Sequence, residues 1–175
     1  MKPLLILGSG AALSADVAAL GDWPGPVMAV NRAGAFYPGR LDHWATLHPD
    51  RLGAFVDERR TRGLPFEGQT WSLDAADGVR IDRVVTDLEL SGSSGLFAVR
   101  IALHRLGHKR VVLAGVPIDN GRHFYDGARR SGPGFVGYRL EWRRAARGEF
   151  DGRVRSLSGW TADLLGRPDP AWLEG

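Results

Sequence analysis

Three unbroken apolar runs constrain this chain most: Leu4-Leu5-Ile6-Leu7, Val27-Met28-Ala29-Val30 and Val111-Val112-Leu113-Ala114. A strand with one wet face alternates apolar and polar residues. A run without alternation suits a strand covered on both faces, as in a parallel sheet packed between helices. The runs end at Gly8, Asn31 and Gly115. Ala11 to Leu20, rich in alanine and leucine, reads as a helix stopped by Gly21. His43 to Leu47 is a further strand, closed by Pro49, and Asp50 is expected to cap a helix from Arg51 to Arg62 with Leu52, Phe55 and Val56 at helical spacing. Thr70 to Leu73 and Val84-Val85 are short strand candidates. A helix from Leu96 to Leu106, ended by Gly107, leads through Lys109-Arg110 into Val111–Gly115, the αβ step of a doubly wound sheet. The pattern predicts one α/β domain over residues 1–175, Rossmann-like, with a mostly parallel sheet and helices on both faces. A lid-like loop is expected at about 116–137. A C-terminal helical segment is expected over 138–175, with a loose tail after Pro168 and Pro170.

At 175 residues the chain has the length of one domain. It contains no cysteine, which excludes disulfides, thiol nucleophiles and thiolate zinc sites. Lys2 and Lys109 are its only lysines, so arginine lifts the sequence pI to about 9.8 while the net charge is only +3. That charge is a weak argument for nucleic acid, and the concentration of arginines from Arg100 to Arg155, around the expected lid, suits a small phosphate-bearing ligand better. No apolar stretch approaches the ~20 residues of a membrane-spanning helix, and a cytoplasmic location is expected.

In parallel α/β sheets, ligands bind beyond the carboxyl ends of the strands. That rule singles out Gly8-Ser9-Gly10, Asn31, His48 and the stretch from Gly115 to Asp119. The glycine turn suits an anion at a helix N-terminus, although Leu13 stands where a dinucleotide fingerprint needs its third glycine. Ser93-Ser94-Gly95 before the late helix supplies hydroxyls and amides for a phosphate, or simply an N-cap. Asn31 offers both a donor and an acceptor to a base or ribose. On the lid, His123 is the candidate acid/base, with Tyr125 and Asp126 in support, and Asp119 and Asp126 could share a magnesium ion with phosphates. No histidine spacing supports a zinc site. Arg139, Arg143, Arg144 and Arg147 line one helix, and Arg155, before Trp160, could help close over a nucleotide.

Leu5-Ile6-Leu7-Gly8-Ser9-Gly10, Val30-Asn31, Thr46-Leu47-His48-Pro49, Ser94-Gly95 and Val112-Leu113-Ala114-Gly115 together resemble the small Rossmann-like proteins that include bacterial family 42 sialyltransferases. They also resemble the 6-hydroxymethylpterin diphosphokinase-like family. The resemblance spans residues 4 to 126 and implies a nucleotide or nucleotide-sugar at Ser9, Asn31, His48 and Ser94. The chain departs from the sialyltransferases in having Ser9 where they carry asparagine and Pro117 where they carry an acid, and in having no histidine in the region 153–161. The segment from Val154 to Thr161 also resembles phage or prophage products. Three functions follow as expectations: a glycosyltransferase-like transferase, an ATP-dependent diphosphokinase-like enzyme, or a non-catalytic nucleotide-binding phage protein. The oligomeric state is left open.

Overall fold

The structure, a computed structural model, describes residues 1–88, 93–125 and 135–175. Its strands are β1 (Leu4–Leu7), β2 (Val27–Val30), β3 (His43–Thr46), β4 (Gln69–Ser72), β5 (Arg83–Val84), β6 (Val111–Ala114) and β7 (Val154–Ser156). They form one seven-stranded sheet in the order β5-β4-β3-β2-β1-β6-β7, with every pairing parallel. The helices are α1 (Leu13–Leu20), α2 (Ala33–Phe36), α3 (Pro49–Thr61), α4 (Ser94–Arg100, continued by a π turn over Ile101–Arg105), α5 (Arg139–Arg147), α6 (Gly159–Leu165) and α7 (Pro170–Glu174). The α/β class read from the sequence is the one observed.

The unbroken runs explain themselves in the packing. Leu4, Ile6, Met28, Val30, Val111 and Leu113 point to the face covered by Leu96, Phe97 and Ile101 of α4 and by Trp142 of α5. Their neighbours Leu5, Leu7, Ala29, Val112 and Ala114 point to the other face, beneath Leu13 of α1, Ala33 of α2 and Leu52 of α3. Both faces are dry, so neither set of alternating residues can be polar.

Several elements differ from expectation. β7 was not anticipated, and it lies inside the segment expected to be helical. It is a short edge strand whose Val154 and Ser156 are buried while Arg155 is only half-buried, a pattern too brief for periodicity to reveal. The tail after Pro168 folds into α7, with Pro170 in the first turn and the Asp169 carboxylate accepting from the Trp172 amide at 2.8 Å. Asp50 does not cap α3. The helix opens two residues earlier than expected, at Pro49, whose missing N–H costs nothing there. The first helix starts two residues later than expected, at Leu13, and the Ala11 amide bonds outward to the Arg122 carbonyl at 3.0 Å. The four-residue α2 fits because Gly34 lets Trp44 pack close, and an added Cβ would lie 2.4 Å from the indole.

Two histidines near the amino ends of the strands give the fold a pH dependence. Burial holds both His43 and His108 below the usual histidine pKa. Asp42 opposes this at His43, the Lys2 backbone opposes it at His108, and the nearby amino terminus reinforces it at His108. The Nδ1 of His43 accepts from Trp71 Nε1 at 3.3 Å. Because the folded pKa values lie below the unfolded value of about 6.5, the unfolded chain binds more protons as pH drops through that value. Stability is therefore present above about pH 6.5 and is lost as pH falls towards the folded values. The melting temperature should fall between pH 7.5 and about 5, above the range where carboxylates titrate. A His43→Asn/His108→Asn variant should flatten that limb, and an unchanged slope would count against these groups.

Candidate functional site

The chain moves outward from β1 to β5, then returns to place β6 on the other side of β1. At such a reversal the loops after the two strands part and leave a crevice at their carboxyl ends. Here the crevice is a cavity of about 320 Å³, within the range of small-molecule sites. Its lining brings together Gly8, Ser9, Gly10, Asn31, His48, Ser93, Ser94, Gly95, Gly115, His123 and Tyr125. These come from separate stretches of the sequence, and each had been singled out as a candidate.

The glycines act differently from expectation. A Cβ on Gly8 would lie 2.4 Å from the Gly115 carbonyl oxygen, and one on Gly10 would lie 2.4 Å from Pro117 Cδ. They let the loops after β1 and β6 touch. The turn does not offer a row of free amides. Gly8 N–H bonds to the Ala114 carbonyl and Gly10 N–H to the Gly115 carbonyl, each at 2.8 Å. Residues Arg122 to Phe124 lie antiparallel along the turn, with the Phe124 amide donating to the Ser9 carbonyl at 2.9 Å. What remains is Ser9 Oγ, a buried hydroxyl without a hydrogen-bond partner among the described residues. An unsatisfied polar atom of this kind costs about 1–3 kcal/mol and is met where a ligand completes the site.

Asn31 is fixed from three sides. Its backbone is left-handed, at φ 51°, a conformation asparagine tolerates better than most residues. Its carbonyl accepts from Trp44 Nε1 at 2.7 Å. The Thr46 hydroxyl accepts from the His48 amide at 2.9 Å and donates to Asn31 Oδ1 at 2.8 Å. The acceptor end of the amide is thus occupied, and Nδ2 remains as the donor on a cavity-lining residue.

The start of α4 closes the opposite wall. Ser93 Oγ caps the helix through the Leu96 amide at 3.3 Å and accepts from Trp142 Nε1 at 3.2 Å. Ser93 therefore serves both readings of this turn, as a cap and as cavity lining. The amides of Ser94 and Gly95 are left at the positive end of the helix. Ser91 and Gly92 lie outside the described residues.

The floor is pinned from behind. The buried Asp16 carboxylate accepts from the Gly115 amide at 2.8 Å and from Ser158 Oγ at 2.6 Å. The Thr161 hydroxyl donates to the Val116 carbonyl at 2.6 Å, and Arg139 Nε donates to the Ile118 carbonyl at 2.9 Å. These contacts hold Ile118 at φ 46°, a strained conformation for a β-branched residue. On the outer wall the His123 ring stacks on Tyr125 at 4.9 Å and 8°, and the Arg32 guanidinium sits 4.6 Å from the centre of the Tyr125 ring. Glu58 holds Arg32 through two bonds of 2.7 and 2.8 Å, and the Arg32 and Arg62 guanidiniums keep its carboxyl below the usual range.

Three candidates fall elsewhere. Arg155 is not at the cavity: its guanidinium donates to the Leu165 carbonyl and packs over Trp172, tying β7 to the C-terminal helices. Asp119 does not line the cavity, because its carboxylate turns back onto the Gly121 amide at 2.7 Å. Asp126, with residues 126–134 of the expected lid, lies outside the described residues. Among the described residues no cluster of His, Asp and Glu is arranged to hold a metal ion, and no carboxylate lines the cavity. The sequence reading missed Arg51, Phe55, Phe135 and Tyr138, which do line it. Arg51 and Phe55 are one helical turn apart on α3, a spacing legible in the sequence once the start of α3 is known.

Fold and cavity together define a Rossmann-like α/β protein with a crevice at its strand reversal. No protein-family model matches the chain, and no curated protein matches it. Solved structures do. The sialyltransferase CstII from Campylobacter jejuni, in complex with the substrate analogue CMP-3FNeuAc, aligns at a TM-score of 0.65 and 13% identity, over 99% of this chain and 88% of that one. A single-residue variant of CST-II in complex with CMP aligns at 0.65 and 12%, over 100% and 89%. CST-II with a trisaccharide acceptor and CMP aligns at 0.62 and 12%, over 99% and 88%. At these identities the likeness is one of fold, and it bears out the fold that the sialyltransferase resemblance implies. The diphosphokinase-like and phage resemblances receive no support from these structures. Among the described residues no helix is long and apolar enough to cross a membrane.

Proposed function

We propose that this chain binds a nucleotide or nucleotide-sugar in the β1/β6 crevice and acts as a glycosyltransferase-like transferase. The observation that carries this reading is the inventory of the lining: the Asn31 Nδ2 donor, the hydroxyls of Ser9, Ser93 and Ser94, and the helix-start amides of Ser94 and Gly95, with no carboxylate among the described lining residues. Such a surface suits a ligand rich in acceptors and negative charge. The likeness in fold to sialyltransferases whose structures hold CMP supports the choice of a cytidine nucleotide as first probe. In this reading the phosphate lies at the start of α4 rather than at the β1 turn, where the Gly8, Gly10 and Ala11 amides are engaged, and Asn31 and His48 contact the nucleoside. His123 is the candidate acid/base.

A second reading, binding without turnover, is favoured by the departures from the sialyltransferase pattern, Pro117 in place of an acid and no histidine over 153–161. Calorimetric titration with CMP should give saturable binding with a Kd of about 1 μM to 1 mM, the usual range for enzyme substrates. Release of CMP from a CMP-linked sugar separates transferase from binder. No binding of CMP or of any other nucleoside phosphate or nucleotide-sugar would overturn both.

A further inference from the structure

Arg51 is the one arginine that lines the cavity among the described residues, and with no aspartate or glutamate beside it there it supplies the one permanent charge in that lining. Folding gives little reason for a cation at this position. Arg51 stands in the first turn of α3, after Pro49 and Asp50, where the helix dipole favours negative charge. Its ion-pair contact among the described residues is Asp50 Oδ2 at 4.0 Å, with both side chains about two-thirds exposed or more (66% and 73%). A loose, solvated pair of that kind contributes almost nothing to stability. Two observations made independently of Arg51 indicate where an anion would go. The Gly8, Gly10 and Ala11 amides of the β1 turn are already bonded, so that turn is a poor cradle. The start of α4, which packs across β1, β2 and β3, presents its positive end to the same cavity.

We infer that Arg51 is the anion anchor of the crevice and sets the charge class of its ligand, selecting a nucleoside phosphate over the uncharged nucleoside. This rests on the nucleotide reading above and adds to it a specificity residue from α3. A guanidinium presents a planar fork to phosphate oxygens, so the contact is charge-assisted and sensitive to salt. Lysine at this position keeps the charge without the fork.

The test is a set of titrations of wild type, Arg51→Gln and Arg51→Lys with cytidine and with CMP, at about 50 and about 200 mM salt, the range over which phosphate contacts weaken. Arg51→Gln should bind CMP about 5- to 20-fold more weakly and change cytidine binding less than about 2-fold, as expected for one partly exposed charged contact. Its CMP affinity should also depend less on salt, and Arg51→Lys should lie between the two. Equal loss for cytidine and CMP, or no loss for either, overturns the role of Arg51 while the nucleotide reading stands. If wild type binds neither compound, this inference falls, and the nucleotide reading falls with it only if no other nucleoside phosphate or nucleotide-sugar binds. The side chain is exposed, so unchanged melting temperatures for both variants are expected and exclude misfolding as the cause.

Discussion

Replacing Arg59 by methionine should lower the unfolding free energy by about 3–5 kcal/mol, the range for breaking a buried, hydrogen-bonded charge site. Arg59 is 1% exposed. Its guanidinium donates to the carbonyls of Gly34 at 2.8 Å, Tyr37 at 2.6 Å and Gly39 at 2.8 Å, and its Nε donates to Pro65 at 2.9 Å. No carboxylate is among these partners. Burial pulls the Arg59 pKa below the ordinary arginine value and pushes that of the neighbouring Tyr37 above its own. The charge is held by backbone dipoles alone. Methionine has a similar stem and would fill much of the volume, so the loss reads the four carbonyls left without a donor rather than a cavity. Lysine should rescue little, since one ammonium cannot reach carbonyls arranged around a fork. Because Arg59 joins the end of α3 to α2 and the turn before β3, it also holds the frame that carries Arg51, Phe55 and Arg32. Urea denaturation gives the value directly, and a loss below about 1 kcal/mol would show that water replaces the guanidinium at these carbonyls.

How far such features could be read beforehand depends on whether their cause is local. The four-residue apolar runs of β1, β2 and β6 were legible because dry packing on both faces leaves a pattern within each strand. β7 and α2 were not, because three or four residues carry no period and their stability comes from neighbours. Gly8, Gly10 and Gly115 were recognisable as special, but the reason was not. They make room for one loop against another, a contact between residues more than a hundred positions apart. Arg51 was passed over because its neighbours Pro49 and Asp50 look like an ordinary helix start. Only the turn from β3 into α3 carries it to the crevice. Asn31 was legible as a polar residue at a strand end, whereas its partner Thr46 depends on the register of β2 beside β3, in which Val30 lies opposite Ala45.

That register makes Asn31 the most informative position for testing the site. Asn31→Asp should weaken CMP binding by about 30-fold or more, since a site built to donate a hydrogen bond then presents a charged acceptor in its place. The exchange is close to isosteric. Aspartate also tolerates the left-handed backbone, and one of its oxygens can still accept from the Thr46 hydroxyl. The fold is therefore expected to survive, with a melting temperature within a few degrees of wild type. The other oxygen takes the place of Nδ2 and meets the ligand as an anion. Alanine would be a poorer probe, because it gives up the Thr46 partner and fits left-handed backbone badly, by about 1–2 kcal/mol. If Asn31→Asp binds CMP as well as wild type does, the Nδ2 donor is not used by the ligand, and the orientation proposed for the nucleoside is wrong. If affinity falls and recovers at a pH low enough to protonate the new carboxylate, the charge itself is the cause. A loss that persists at low pH, where the neutral acid carries one O–H donor, would place the effect in the geometry of the hydrogen bond from Nδ2 rather than in the charge.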